Sequence, residues 1–172
     1  MNVIVIGCGR VGGFLAGLLD RGGNAVTVVD VDRASFVHLP ADFKGTTLLG
    51  SGIDMDILRQ AGIDTADVLL GLTEGDNRNL MSAQIAREIF GVKRVFAKVN
   101  DPVRARLYRE RGIITFSRTT ILGTLLEALL MGDAEVGKLL LEKALAYEAE
   151  LAGAAPAAAA SPAKAGAFRA EP

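Results

Sequence analysis

The sequence predicts a doubly wound α/β domain on a six-stranded parallel sheet, followed by a C-terminal helical extension. Three observations carry that expectation. Val3, Ile4, Val5 and Ile6 form a β-branched run, apolar on both faces as a central parallel strand is. Gly7-Cys8-Gly9-Arg10-Val11-Gly12 follows with the spacing GxGxxG, and a helical pattern begins directly behind it at Phe14, Leu15, Leu18 and Leu19. Short apolar runs then alternate with helical segments over short connections as far as residue 116, the pattern of right-handed βαβ units.

The glycines of the first loop have separate mechanical roles. Gly7 makes the tight turn off the strand, Gly9 lets backbone approach a pyrophosphate, and Gly12 lets the helix pack closely on the sheet. The helix start, with its free N–H groups and positive dipole end, faces the phosphates. Arg21, Gly22, Gly23 and Asn24 then form a helix end and turn, and residues 25–29 read as the second strand, ending in Asp30. An acid about twenty residues beyond the glycines is placed for the adenosine ribose hydroxyls. Strand, glycine loop, helix and acid together predict a Rossmann-type nucleotide site, with discrimination against a 2′-phosphate by the like charge of Asp30.

Along the rest of the chain, residues 31–38 form a short helix stopped by Pro40, and residues 46–49 the third strand. Arg33 stands where a cation could touch adenine or a 2′-phosphate, or simply be a solvated charge at a helix start. His38 reads as a packing or surface residue. Asp54 caps a helix over 55–61 that Gly62 ends. The fourth strand spans 67–72; an amphipathic helix over 77–90 carries Met81, Ile85 and Ile89 on one stripe. The fifth strand spans 93–99, Asp101 and Pro102 open a helix to about residue 111, and residues 113–116 form the sixth strand. Strand order 3-2-1-4-5-6 would put the glycine loop, Asp30, Ser51, Leu72 and Thr73 on one rim. Residues 117–131 make a helix with a broad leucine stripe, and residues 134–151 a second amphipathic helix through Val136, Leu139, Leu140, Ala144 and Tyr147. Residues 152–172 are rich in Ala, Pro and Gly, cannot bury a core, and are expected to be disordered. The organisation expected is therefore a nucleotide-binding domain over 1–131, a helical extension over 132–151 and a tail over 152–172.

Composition narrows the function. Nineteen Lys+Arg against 20 Asp+Glu give a net charge of -1, so no basic field exists to hold nucleic acid. With Cys8 the only cysteine and His38 the only histidine, neither a disulfide framework nor a Cys/His metal site is expected. The apolar N-terminus stops at Gly7 and reads as a core strand, not a signal peptide, and no apolar run approaches ~20 residues. A cytoplasmic protein without direct membrane insertion is expected.

The ordered series GCGRVGG, the Asp30 strand end, GSGIDMDILRQAGI, LLGLTEGDNRNL and RVFAKVNDP followed by GI resembles the nucleotide-binding domains of Trk/Ktr-type potassium-uptake regulators, the RCK domains (regulators of potassium conductance). The resemblance covers about residues 1–131. It implies a regulatory subunit that binds NAD(H) or ATP/ADP, assembles as a dimer or ring, and gates a membrane potassium transporter or channel at the inner face of the cell membrane. By resemblance the phosphate-loop glycines are Gly7, Gly9 and Gly12, with Cys8 and Val11 between them, and the ribose acid is Asp30, followed by Val31. Arg10 matches a basic loop residue able to reach a phosphate. Ser51 and Gly52 match the segment after the third strand, where many relatives carry an acid in place of Ser51. Leu72 and Thr73 match the pocket wall after the fourth strand, and Lys98 a basic position late in the fifth. Residues 117–131 match the family's long crossover helix. Many relatives continue into a second domain for a further regulator; the low-complexity tail here implies a minimal subunit or one paired with a companion regulatory chain.

No catalytic residue is expected. Hydride transfer needs a substrate domain and a positioned acid or base, so the alternative, an NAD-dependent oxidoreductase, would have to be completed by another chain. A transcriptional co-repressor would need a DNA-binding element, and no helix concentrates positive charge.

Overall fold

Strand β1 (Asn2–Ile6) lies at the centre of a six-stranded parallel sheet of order β3-β2-β1-β4-β5-β6, completed by β2 (Ala25–Asp30), β3 (Thr46–Leu49), β4 (Val68–Gly71), β5 (Arg94–Lys98) and β6 (Ile114–Phe116). The structure is a computed structural model and describes residues 1–131, 137, 139–142, 144 and 145. The expected doubly wound order is observed. Alternate residues of β1 feed two cores: Ile4 and Ile6 join Val29, Leu69 and Val95 on one face, while Val3 and Val5 join Val26, Val28 and Val68 on the other. Burial on both faces is why these strands read as continuous β-branched runs in the sequence.

Helix α1 (Arg10–Arg21) and the 3₁₀ turn Arg33–His38 cover the Val5 face through Ala16, Phe36 and Leu39. Helices α2 (Met55–Gln60), α3 (Asp76–Gln84) and α4 (Pro102–Glu110) cover the Ile4 face through Leu58, Leu80 and Ala105. The caps follow the sequence: Asp54 accepts from the N–H groups of Asp56 and Ile57, and Asp101 from those of Val103 and Arg104, with Pro102 at the first helical position. His38 is exposed, its Nδ1 2.9 Å from the Ser35 carbonyl.

The expected stripe of α3 is corrected. Met81 and Ile89 are exposed and Ile85 only half-buried, whereas Asn79, Leu80, Ser82, Ala83 and Ala86 face the sheet. The helix approaches β4 too closely for large side chains: a Cβ on Gly71 would sit 3.1 Å from the backbone of Asn79. Beyond Gln84 the helix loosens into a π turn, Ile85–Ile89, which rotates later residues away from an ideal 3.6-residue register.

The chain divides into two compact units, Met1–Ile121 and a second beginning at Leu122. Helix α5 (Arg118–Met131) buries none of its residues; Leu122 is 56% exposed, Leu126 50% and Leu130 83%. Residues 139–142, 144 and 145 are helical; the rest of the helix expected over 134–151, apart from 137, and the tail over 152–172 lie outside the described residues. Among the described residues no helix is long and apolar enough to cross a membrane.

Candidate functional site

The carboxyl ends of β1, β2, β3 and β4 open into a cleft of about 190 Å³, where the strand order reverses direction. Gly7 turns the chain off β1 at φ +102°, and its N–H donates to the Val29 carbonyl at 2.8 Å. Two close approaches make glycine obligatory here. A Cβ on Gly7 would lie 2.8 Å from the Thr73 nitrogen, and one on Gly12 would lie 2.0 Å from the Gly7 carbonyl oxygen. Gly9, the residue before α1, is different: a Cβ there meets nothing within 4 Å. The space over Gly9 opens onto the helix start, the location a phosphate requires.

Asp30 binds the loop itself. One carboxylate oxygen accepts the Cys8 N–H at 2.6 Å and the other the Asp32 N–H at 2.9 Å, while its carbonyl accepts the Gly50 N–H at 2.8 Å. Each carboxylate oxygen keeps a second acceptor site, and Asp30 lines the cleft together with Gly7, Gly9 and Val31. The acid thus ties the glycine loop to the end of β2 and remains able to accept from a ligand. The opposite wall is made by Ser51, Gly52, Leu72 and Thr73.

The Leu72–Thr73 wall is held by a residue the sequence reading missed. Asn79 is fully buried; its Oδ1 accepts from the Thr73 N–H at 2.8 Å and hydroxyl at 2.7 Å, and its amide nitrogen donates to the carbonyls of Thr73 at 3.0 Å and Lys98 at 2.9 Å. One side chain therefore joins the ends of β4 and β5. The legible signal was a polar residue six positions after Thr73 inside a helix whose neighbours are buried.

Around Gly9 the cleft adjoins a smaller recess of about 50 Å³ lined by Arg10, Val11, Gly12, Lys98 and Arg118, with Gly9, Leu72 and Glu74 shared between the two. Lys98 thus faces this recess and not the main cleft. Cys8 contributes only its backbone: the side chain is fully buried in the Val5 core, and burial, then the Asp30 charge, push its thiol up to about 11. Arg33 is exposed at the start of its 3₁₀ turn and does not line the cleft; Ser35 of the same turn does. Arg78 and Ile53 also line it, unforeseen from sequence. Among the described residues no group of His, Cys, Asp and Glu side chains is placed to hold a metal ion. The arrangement offers a backbone anion cradle and an acceptor pair for hydroxyls, beside apolar Ile6, Val29 and Leu72.

The family model for the TrkA-N domain matches residues 3–117. The Trk system potassium uptake protein TrkA of Streptomyces coelicolor is 44% identical over 115 residues, which are 67% of this chain and 52% of that protein. The chain therefore spans about half the length of this relative. Among solved structures, the TrkA-N domain of the inner membrane protein ybaL from Escherichia coli superposes with a TM-score of 0.65 at 19% identity, covering 75% of this chain and 96% of that one. The GsuK channel, solved bound to NAD and to ADP, superposes with TM-scores of 0.60 and 0.59 at 22% identity, covering 71% of this chain and 22% and 32% of those chains. At that identity the likeness is one of fold.

Proposed function

The chain belongs to the TrkA-N domain family, and from that premise we propose that it is a nucleotide-sensing regulatory subunit of a membrane potassium transporter or channel. The ligand is an adenine nucleotide, NAD(H) or ATP/ADP. The observation that carries the reading is the convergence of the open face of Gly9, the Asp30 carboxylate and the Thr73 wall on one cleft at the switch point of the sheet. Asp30 accepts the ribose hydroxyls, the α1 start takes the phosphates, and the Ser51–Gly52 segment flanks the base.

Regulation of potassium movement is supported by the relative matched over 115 residues, a Trk system potassium uptake protein. A ligand that favours one arrangement of subunits shifts the population toward it, which is how occupancy reaches a membrane partner. The exposed leucines of α5 support assembly as a homo-oligomer, since a contiguous apolar patch marks a partner surface. The protein acts in the cytoplasm, at the inner face of the membrane through that partner. The test is twofold: mass spectrometry of the small molecule released from the purified chain, and potassium uptake by cells of the source organism with and without the gene. Release of an adenine nucleotide with altered uptake is expected. Nicotinamide-linked turnover at enzymatic rates, with uptake unchanged, would overturn the proposal.

A further inference from the structure

We propose that the end of the sheet opposite the cleft, at the amino ends of β5 and β6, docks on the anionic lipid headgroups of the inner leaflet. The choice of a membrane rests on the regulatory reading above; the surface itself goes beyond it.

A net charge of -1 predicts no basic field, yet the charge is unevenly placed along the chain. Residues 20–76 carry ten Asp and Glu against four Lys and Arg, and residues 77–118 carry three against ten. Nine of those ten acids already hold a partner within the chain. Six accept backbone N–H groups, as Asp54 and Asp76 do, and three pair with cations. They are therefore poorly placed to neutralise the cations of a second copy, and the basic segment looks outside the protein for its counter-charge.

Five of the cations gather at one end of the sheet. Lys93 and Arg94 open β5, with the Arg94 guanidinium 3.6 Å from the Met1 sulfur. Arg109 and Arg111 stand at the end of α4, and a Cβ on the following Gly112 would meet the Arg87 guanidinium. Among the described residues none of the five forms an ion pair. Arg109 gives its Nε to the Ala105 carbonyl at 3.2 Å and Arg111 lies 5.7 Å from the Tyr108 ring centre, contacts that leave both charges uncompensated. Glu88 and Glu110 are the acids here, with Asp67 at the border held by the Asn2 N–H at 2.7 Å, so the cations prevail. Ile89, in the π turn between Arg87 and Lys93, is 60% exposed. Cations with an exposed aliphatic side chain suit a headgroup layer, which offers mobile anions and apolar depth together; a nucleic acid would leave Ile89 in water. All strands are parallel, so five residues of β1 set this end roughly 17 Å from the cleft. That exceeds the ~8 Å screening length at physiological salt, so docking and nucleotide binding do not compete.

Cosedimentation of the full chain with vesicles tests the surface, using phosphatidylcholine alone and phosphatidylcholine with about a third phosphatidylglycerol. Wild type should bind the anionic vesicles and not the neutral ones at low salt, and should leave them at about 1 M salt, where charges are screened within ~3 Å. Lys93→Gln with Arg94→Gln, two exposed positions, should weaken that binding about 25-fold, about fivefold for each charge. Lys44→Gln removes an exposed cation at the other edge of the sheet, before β3, and should change it less than about twofold. Equal binding to both vesicles, none to the anionic ones, or an equal loss from Lys44→Gln would overturn the proposal. So would tighter binding to duplex DNA than to vesicles, or a fall in oligomeric mass by light scattering in the double variant, which would give these cations to a nucleic acid or a second copy. Each of those results leaves nucleotide sensing standing, because that reading is decided by nucleotide release and potassium uptake.

Discussion

Asn79→Ala is the substitution whose consequence is worked most directly from the geometry. The change removes the acceptor of the Thr73 N–H and hydroxyl and the donor to the carbonyls of Thr73 and Lys98. The Thr73 hydroxyl has an alternative in the Gly75 carbonyl at 3.4 Å, but three backbone groups lose their side-chain partner. At about 1 kcal/mol for each of them, and more for the bond to Lys98, which is buried, the sum is about 3 kcal/mol. With a urea slope of ~1–3 kcal/mol per M, the unfolding midpoint should fall by about 1–3 M. Asn79→Asp sharpens the test. It keeps an oxygen for Thr73 but sets a second oxygen against two carbonyls, so it should be no more stable than the alanine variant. A loss below about 1 kcal/mol for alanine, or wild-type stability for aspartate, would refute the claim that this side chain holds the wall of the cleft.

Other expectations are more local. Asp30→Ala should weaken adenine-nucleotide binding by about 1–3 kcal/mol in calorimetry, because it strips acceptors from the ligand and from the Cys8 and Asp32 N–H groups together; unchanged affinity would remove Asp30 from the site. The Cys8 thiol, raised from 9.0 to about 11 in the fold, stays protonated while the unfolded chain ionises. Its contribution is thus fully present below pH 9 and lost as pH rises from about 9 to 11; thermal unfolding of wild type against Cys8→Ala should diverge in that window, and parallel pH profiles would contradict it. Leu126→Glu with Leu130→Glu should lower the oligomeric state seen by light scattering and leave nucleotide affinity intact, whereas a monomeric wild type at micromolar concentration would assign those exposed leucines some other role.

The strands and their order were legible because both faces of this sheet are buried, which forces uninterrupted β-branched runs such as Val3 to Ile6. Caps were legible because Asp54 and Asp101 act within three residues of themselves. The face of α3 was not. Periodicity of large apolar residues pointed to Met81, Ile85 and Ile89, but close approach to Gly71 admits small side chains there, so the larger ones were left outward. The same holds within the site. Gly7, Gly9, Gly12 and Asp30 are announced by spacing, since one loop and the next strand bring them together. Glu74 of the loop after β4, Lys98 of β5 and Arg118 of α5 lie far apart in sequence, and their meeting is a product of topology that no local pattern encodes. The grip of Asp30 on the loop through the Cys8 N–H is likewise set by tertiary placement and not by local spacing.

Gly9→Val tests the central claim most directly. The added side chain meets nothing within 4 Å of its Cβ, and Gly9 has φ -71° and ψ -175°, an extended conformation valine adopts freely, so the variant should fold as wild type does. Its methyl groups would stand where the phosphates approach the α1 start. Losing two charge-assisted hydrogen bonds at ~1.5–3 kcal/mol each amounts to about 100-fold or more in affinity. Calorimetry should therefore give one saturable adenine-nucleotide site per chain for wild type and none measurable for Gly9→Val, with matching unfolding curves. Equal nucleotide affinity in the two proteins, or no binding by either, would contradict the account.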